Sequence, residues 1–127
     1  MRDSEIRNSQ SAIRNRLSAW CELLRLPNLL TVPGDPLAGF LLAAAWRRWP
    51  NYLSLAPAIV ASLCLYAFGL ILNDLCDLAE DRRERPSRPL PRGAISLRGA
   101  WAAACVLAVL GLAAAAMTRQ GVAMLTA

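Results

Sequence analysis

Three aspartates at helical spacing, Asp74, Asp77 and Asp81, follow directly on an asparagine, Asn73. On a helix turning about 100° per residue, Asp74 and Asp81 fall within about 20° of each other, Asp77 lies about 60° away, and Asn73 closes an arc of about 100°. The three carboxylates then share one face over roughly 10 Å. Like charges so placed repel, and a pair such as Asp77 and Asp81 weakens a helix, so something positive must sit among them. Arginines can supply it, which gives a solvated, salt-bridged helix end. A hard divalent cation explains the repeated aspartates better. Magnesium takes oxygen ligands and is held by one or two carboxylates while substrate phosphates complete its shell. Arg85, Arg88 and Arg92 follow, and guanidinium suits the phosphate oxygens that such a metal leaves free.

The element that must carry these acids is an oily one. No charge occurs from Tyr52 to Leu72, and the 56% hydrophobic content of the 127 residues gathers into runs at 28–46, 52–72 and 100–117. Each is close to the roughly 20 residues a helix needs to cross about 30 Å of hydrocarbon. The first holds Val32-Pro33-Gly34-Asp35-Pro36 and should kink there. A soluble bundle would need more polar surface than three such runs leave. A cleaved leader is excluded by the long polar stretch before the first run and by an aspartate between two prolines inside it. The fold class is therefore an all-α membrane protein, one domain over 1–127, with three transmembrane helices and an acidic, arginine-rich loop at 73–99. Acids for metal and arginines for phosphate at a membrane surface suggest a lipid diphosphate as substrate.

Upstream, Ile13, Leu17, Trp20 and Leu24 recur at three- and four-residue steps, with Arg14, Arg16 and Glu22 off that stripe. The pattern predicts an amphipathic helix from about Ser9 to Leu26, stopped by Pro27, lying on the membrane surface or serving as a lid over a cavity. In the third run Ala104, Ala108, Gly111 and Ala115 form a strip of small residues that lets helices approach closely. Asp35 is the one charge inside a span. Such groups face a cavity or partner, or else cap the break between Pro33 and Pro36.

All fourteen basic residues are arginine, and eleven of them precede the first run or lie between the second and third, against three on the other side. That excess places the N-terminus and the acidic loop in the cytoplasm, as a multi-pass protein of the cell (inner) membrane with its C-terminus outside. Trp46, Trp49 and Tyr52 then mark the outer interface, Trp20 and Trp101 the inner one. Arginines flanking spans also account for the net charge of +5 without nucleic acid. Cys21, Cys64, Cys76 and Cys105 show no pairing at metal-ligand spacing, which argues against a zinc site or a disulfide framework.

The stretch Asn73-Asp74-x-x-Asp77-x-x-x-Asp81 resembles the first acidic motif, N-D-x-x-D-x-x-x-D, of the UbiA-type intramembrane prenyltransferases. Arg88-Pro89-Leu90-Pro91-Arg92-Gly93 is similar to the R-P-x-P-x-G that follows in that family, and Arg25-Leu26-Pro27-Asn28 to its opening. The resemblance implies the first third of a bundle of about nine helices. It also implies Mg2+-dependent transfer of a prenyl group from a polyprenyl diphosphate to a lipophilic, often aromatic, acceptor, in isoprenoid pathways such as quinone biosynthesis. Asp74, Asp77 and Asp81 become the catalytic, metal-holding residues. Asn73, Arg85, Arg88, Arg92 and Asn28 become the substrate-binding ones. The family carries a second aspartate motif on a later helix, whereas no acid follows Glu84 here. The chain is therefore expected to be inactive alone, with a fourth span starting near Gly121, and completed by the rest of an enzyme or by self-association. The alternative is a small non-catalytic membrane protein whose loop binds a partner or anionic lipid. The D-G-x-x-A-R signature of CDP-alcohol phosphatidyltransferases is not supplied by Asp74-Leu75.

Overall fold

A computed structural model describes residues 2–46 and 55–123, and among these the only regular elements are helices. The helices are α1 (Arg2–Leu23), α2 (Leu26–Leu29), α3 (Gly34–Trp46), α4 (Leu55–Cys76), α5 (Leu78–Glu84) and α6 (Leu97–Ala123). Three stretches are long and apolar enough to cross a membrane: Leu26–Trp46, Leu55–Cys76 and Leu97–Thr118. These correspond to the three expected runs. Arg47, Arg48, Trp49 and Tyr52, assigned above to the outer side, lie outside the described residues.

Each predicted boundary moves for a local reason. The amphipathic helix ends at Leu23, not Leu26, and Pro27 does not stop it but opens the single turn of α2. The stop is Arg25, which takes the left-handed conformation (φ 46°, ψ 55°), and that conformation cannot propagate a right-handed helix. The kink expected around Pro33 is present as the turn between α2 and α3, and Asp35 falls in the first turn of α3, exposed. An acid there complements the helix dipole. The segment 73–99 is not one loop: α4 continues through Asn73 and Asp74 to Cys76, α5 follows, and α6 already starts at Leu97. Ser96 makes that start, its Oγ accepting the Gly99 N–H at 3.1 Å. Gly121, where a fourth span was expected to start, still lies in α6, which runs to Ala123, and the residues after it lie outside the described ones.

α4 packs most extensively on α6. Small side chains make this possible: Ala104 and Gly111 are buried, and a Cβ added at Gly111 would sit 2.8 Å from Leu65 Cγ and 3.3 Å from Cys64 Cβ. The strip read from the sequence is a helix–helix seam, with Ala108 and Ala115 half-buried beside it. Ala100 and Ala114 extend the seam.

The core lies at one end of this pair. Ala19 and Leu23 of α1, Ile71 of α4, Leu90 and Ile95 of the α5–α6 connection, and Ala100 and Ala104 of α6 form one cluster, with Trp20, Leu24, Phe68 and Leu75 against it. The upper half of the α1 stripe does not join: Ile13 and Leu17 stay exposed. Toward the other ends of the spans, Leu41, Leu42, Val109, Leu112 and Met117 are exposed apolar side chains. Hydrocarbon is the natural solvent for such a surface. The core end, by contrast, is where the acids are.

Candidate functional site

α4 delivers Asn73 and Asp74, and the chain then bends at Asp77 (φ −83°, ψ 4°) into α5, which carries Asp81. The bend is slight. Asp77 N–H still donates to Asn73 O and Asp81 N–H to Asp77 O, both at 2.9 Å, so the helical hydrogen-bond pattern crosses the junction and the three acids keep a helical order. They do not keep one environment. Asp74 and Asp81 are buried, at 6% and 4% exposure, whereas Asp77 is exposed. Asn73 Nδ2 donates to Asp77 Oδ2 at 3.0 Å. The four polar residues thus form an inner pair, Asp74 and Asp81, and an outer pair, Asn73 and Asp77.

The positive charge demanded by that inner pair comes from two directions. Arg88 Nη1 lies 2.6 Å from Asp81 Oδ2 and 3.7 Å from Asp74 Oδ1, and Arg25 Nη2 lies 3.4 Å from Asp74 Oδ1. The hydrogen bond to Asp81 raises the Arg88 pKa above its ordinary value and keeps the guanidinium charged. Arg88 is brought back to the acids by how the R-P-L-P-R-G segment folds. Arg88 N–H donates to Arg85 O, Arg92 N–H to Arg88 O and Gly93 N–H to Leu90 O, a series of tight turns that closes with Gly93 at φ +74°. That φ suits glycine alone without strain, and Leu90 and Ile95 pin the segment into the core on either side.

Among the other predicted residues, Arg92 donates through Nη2 to Glu22 Oε2 at 2.8 Å and through Nη1 to Ser87 O at 2.9 Å. Arg85 is exposed and makes no ion pair among the described residues. Asn28 is exposed on α2, with no side-chain hydrogen bond to the acids. Two participants were missed from the sequence, Arg25 and Glu22. Both sit in the last turns before Pro27, and Arg25 belongs to the R-L-P-N opening quoted above, the one signal that could have singled it out.

Among the described residues no three acids converge as a ready ligand set. The donors themselves fit a hard cation: Asp74 and Asp81 are near enough to share one guanidinium, and Asp77 and Asn73 add oxygens on the next turn. A cation already sits between the inner carboxylates in the form of Arg88. A metal held by one or two of these acids and by phosphate oxygens agrees with this arrangement, and a closed all-protein cage does not.

A chain whose helices are long and apolar enough to span, with buried aspartates and arginines gathered at the end of two of them, is an integral membrane protein with a polar site at its surface. It belongs to the UbiA prenyltransferase family, whose model matches residues 36–127. A digeranylgeranylglyceryl phosphate synthase of Methanoculleus marisnigri is 38% identical over 102 residues, 80% of this chain and 35% of the relative. One of Sulfurisphaera tokodaii is 32% identical over 96 residues, 76% of this chain and 34% of the relative. The same enzyme name attaches to a Methanocaldococcus jannaschii protein, 33% identical over 97 residues, 76% of this chain and 34% of the relative. The chain thus spans about one third of the length of these curated relatives. No solved structure matches it.

Proposed function

We propose that this chain supplies one charged half of a prenyltransferase site, in which a prenyl group passes from a polyprenyl diphosphate to an acceptor within the membrane. The observation that carries this reading is Arg88 bridging Asp81 and Asp74 at the end of an apolar helix pair. It supports a site built to hold cations and anions together.

Asp74, Asp77 and Asp81 would hold magnesium directly or through water, and Asn73 orients Asp77 through the bond between them. A magnesium ion held there would supply positive charge to offset the negative charge developing on the departing diphosphate. Arg88, held cationic, and Arg92 and Arg85 beside it present guanidinium forks to the same oxygens as the allylic C–O bond breaks. Asn28 lines the substrate end of α2. The apolar surfaces of α4 and α6 keep water from the allylic cation until the acceptor attacks it and sheds its proton. The remaining walls of the cavity come from the rest of the enzyme or from another copy. The relatives' name puts geranylgeranyl groups on a glyceryl phosphate, which favours a phosphate-bearing glyceryl acceptor among the lipophilic, often aromatic, acceptors that the family resemblance implies.

Calorimetry on the chain in lipid nanodiscs tests the reading. A prenyl diphosphate should bind with magnesium and not with a chelator, and the chain by itself should transfer nothing. Binding indifferent to magnesium would instead favour the non-catalytic protein that holds an anionic lipid. The orientation rests on the arginine excess. A reporter fused after Arg92 should report cytoplasm and one fused after Trp49 the outside. The reverse pattern would move the site to the other face.

A further inference from the structure

The end of α1 and the turn that follows it reach both halves of the site at once, and neither contact follows from the motifs. Glu22 takes Arg92, and Arg25, three residues on, takes Asp74, across sequence separations of 70 and 49. The signs are crossed: an α1 acid holds an arginine of the loop, and an α1-side arginine holds an acid of the motif. Arg25 reaches Asp74 from the left-handed conformation, the only non-glycine residue with positive φ among those described. Such a conformation is strained for a residue with a side chain and persists only where surrounding contacts hold it. Ala19 and Leu23, fully buried in the core cluster, seat the same turn against α4.

We propose that the end of α1 is a strap that ligands release, an inference that rests on the magnesium–diphosphate reading of the site. Arg92 cannot give the same donors to Glu22 and to a diphosphate, and Asp74 cannot turn the same oxygen to Arg25 and to a metal. Each ligand therefore competes with one of the two pairs. In the closed state the pairs occupy an otherwise charged and self-repelling surface. When metal takes Asp74 and diphosphate takes Arg92, both clasps open together, and the strain at Arg25 favours their opening. The Glu22–Arg92 pair, half-exposed on both sides at 47% and 41%, suits a latch of this kind, because exposed pairs are weak enough to exchange. In the other pair Arg25 is half-exposed while Asp74 is buried and keeps Arg88 as a second cation when Arg25 leaves.

The test uses the whole chain in nanodiscs, with magnesium and inorganic pyrophosphate as probes and two readouts that need no turnover. Hydrogen exchange at the amides of residues 19–25 should accelerate when magnesium and pyrophosphate are added together. Glu22→Gln should tighten pyrophosphate binding in the presence of magnesium by about two- to five-fold, the loss of one exposed ion pair, and Arg25→Gln should tighten binding of magnesium alone by a similar factor. If the unmodified chain binds both probes but α1 exchange is unchanged and Glu22→Gln binds no tighter, the strap is wrong and the site reading survives. If no version of the chain binds either probe, the site reading fails and the strap with it. Glu22 is exposed and makes no core contact, so its variant remains informative even if Arg25→Gln fails to fold.

Discussion

Asp74→Asn is expected to lower prenyl transfer by at least about 1000-fold in a complete transferase that carries this segment, because on the proposed reading the carboxylate's charge would hold the metal. The substitution keeps the side chain's size, and asparagine still accepts a hydrogen bond from Arg25 or Arg88. The α4–α6 seam contributes nothing polar and should remain assembled. Asp77→Asn should cost a comparable factor in activity, but from an exposed position, so its unfolding temperature should match the unmodified protein's. The pair of measurements separates chemistry from architecture. Near-normal turnover of either variant at ordinary magnesium would make these acids structural.

Arg88→Gln is expected to destabilise the chain by about 3 kcal/mol, the low end for removing one partner of a buried pair, since Arg88 is itself a quarter exposed. It leaves Asp81 without its cation and Asp74 with Arg25 alone. Two companion results identify the cause. Asp81→Asn combined with Arg88→Gln should recover more than half of the loss, because the orphaned charge is gone. Magnesium should stabilise the single variant more than the unmodified chain, because on the proposed reading a metal would compete for the place the guanidinium has vacated. Thermal unfolding in detergent reads all of these. A loss below about 1 kcal/mol would mean the acids are solvated well enough to do without a partner, as at an ordinary surface ion pair.

What could be read from the sequence was whatever depends on near neighbours. Hydropathy located the spans, and the N-D-x-x-D-x-x-x-D spacing located the acids, because both are periodic signals along one helix. The position of the helix ends was less legible. A span ends for hydrocarbon where charge begins, but α4 ends for hydrogen bonding only at Cys76, so Asp74 belongs to the helix that crosses. The sorting of Asp77 from Asp74 and Asp81 depends on a bend at one residue and on what packs from outside, and spacing carries neither. Arg25 and Glu22 are tertiary facts: a leucine-rich stretch with no glycine gives no warning of a left-handed residue. The seam was the opposite case. Gly111 could be read as a close approach because glycine and alanine at three- and four-residue steps clear a groove along an apolar helix, and a neighbouring helix fills it.

The one-ended core also dictates an order of events at the ribosome. Ala19 and Leu23 are made early, yet they share their cluster with Ala100 and Ala104, which emerge about 80 residues later, or roughly 4–16 s at ordinary synthesis rates. Until α6 has entered the bilayer, the cluster is open on one side and the buried aspartates have no R-P-x-P-x-G segment folded against them. Chain elongation thus leaves an interval in which α1 packs only against α2 and α4, with two carboxylates exposed to whatever cation is nearest. A factor that shields nascent membrane helices would have its work here, between completion of the second span and arrival of the third.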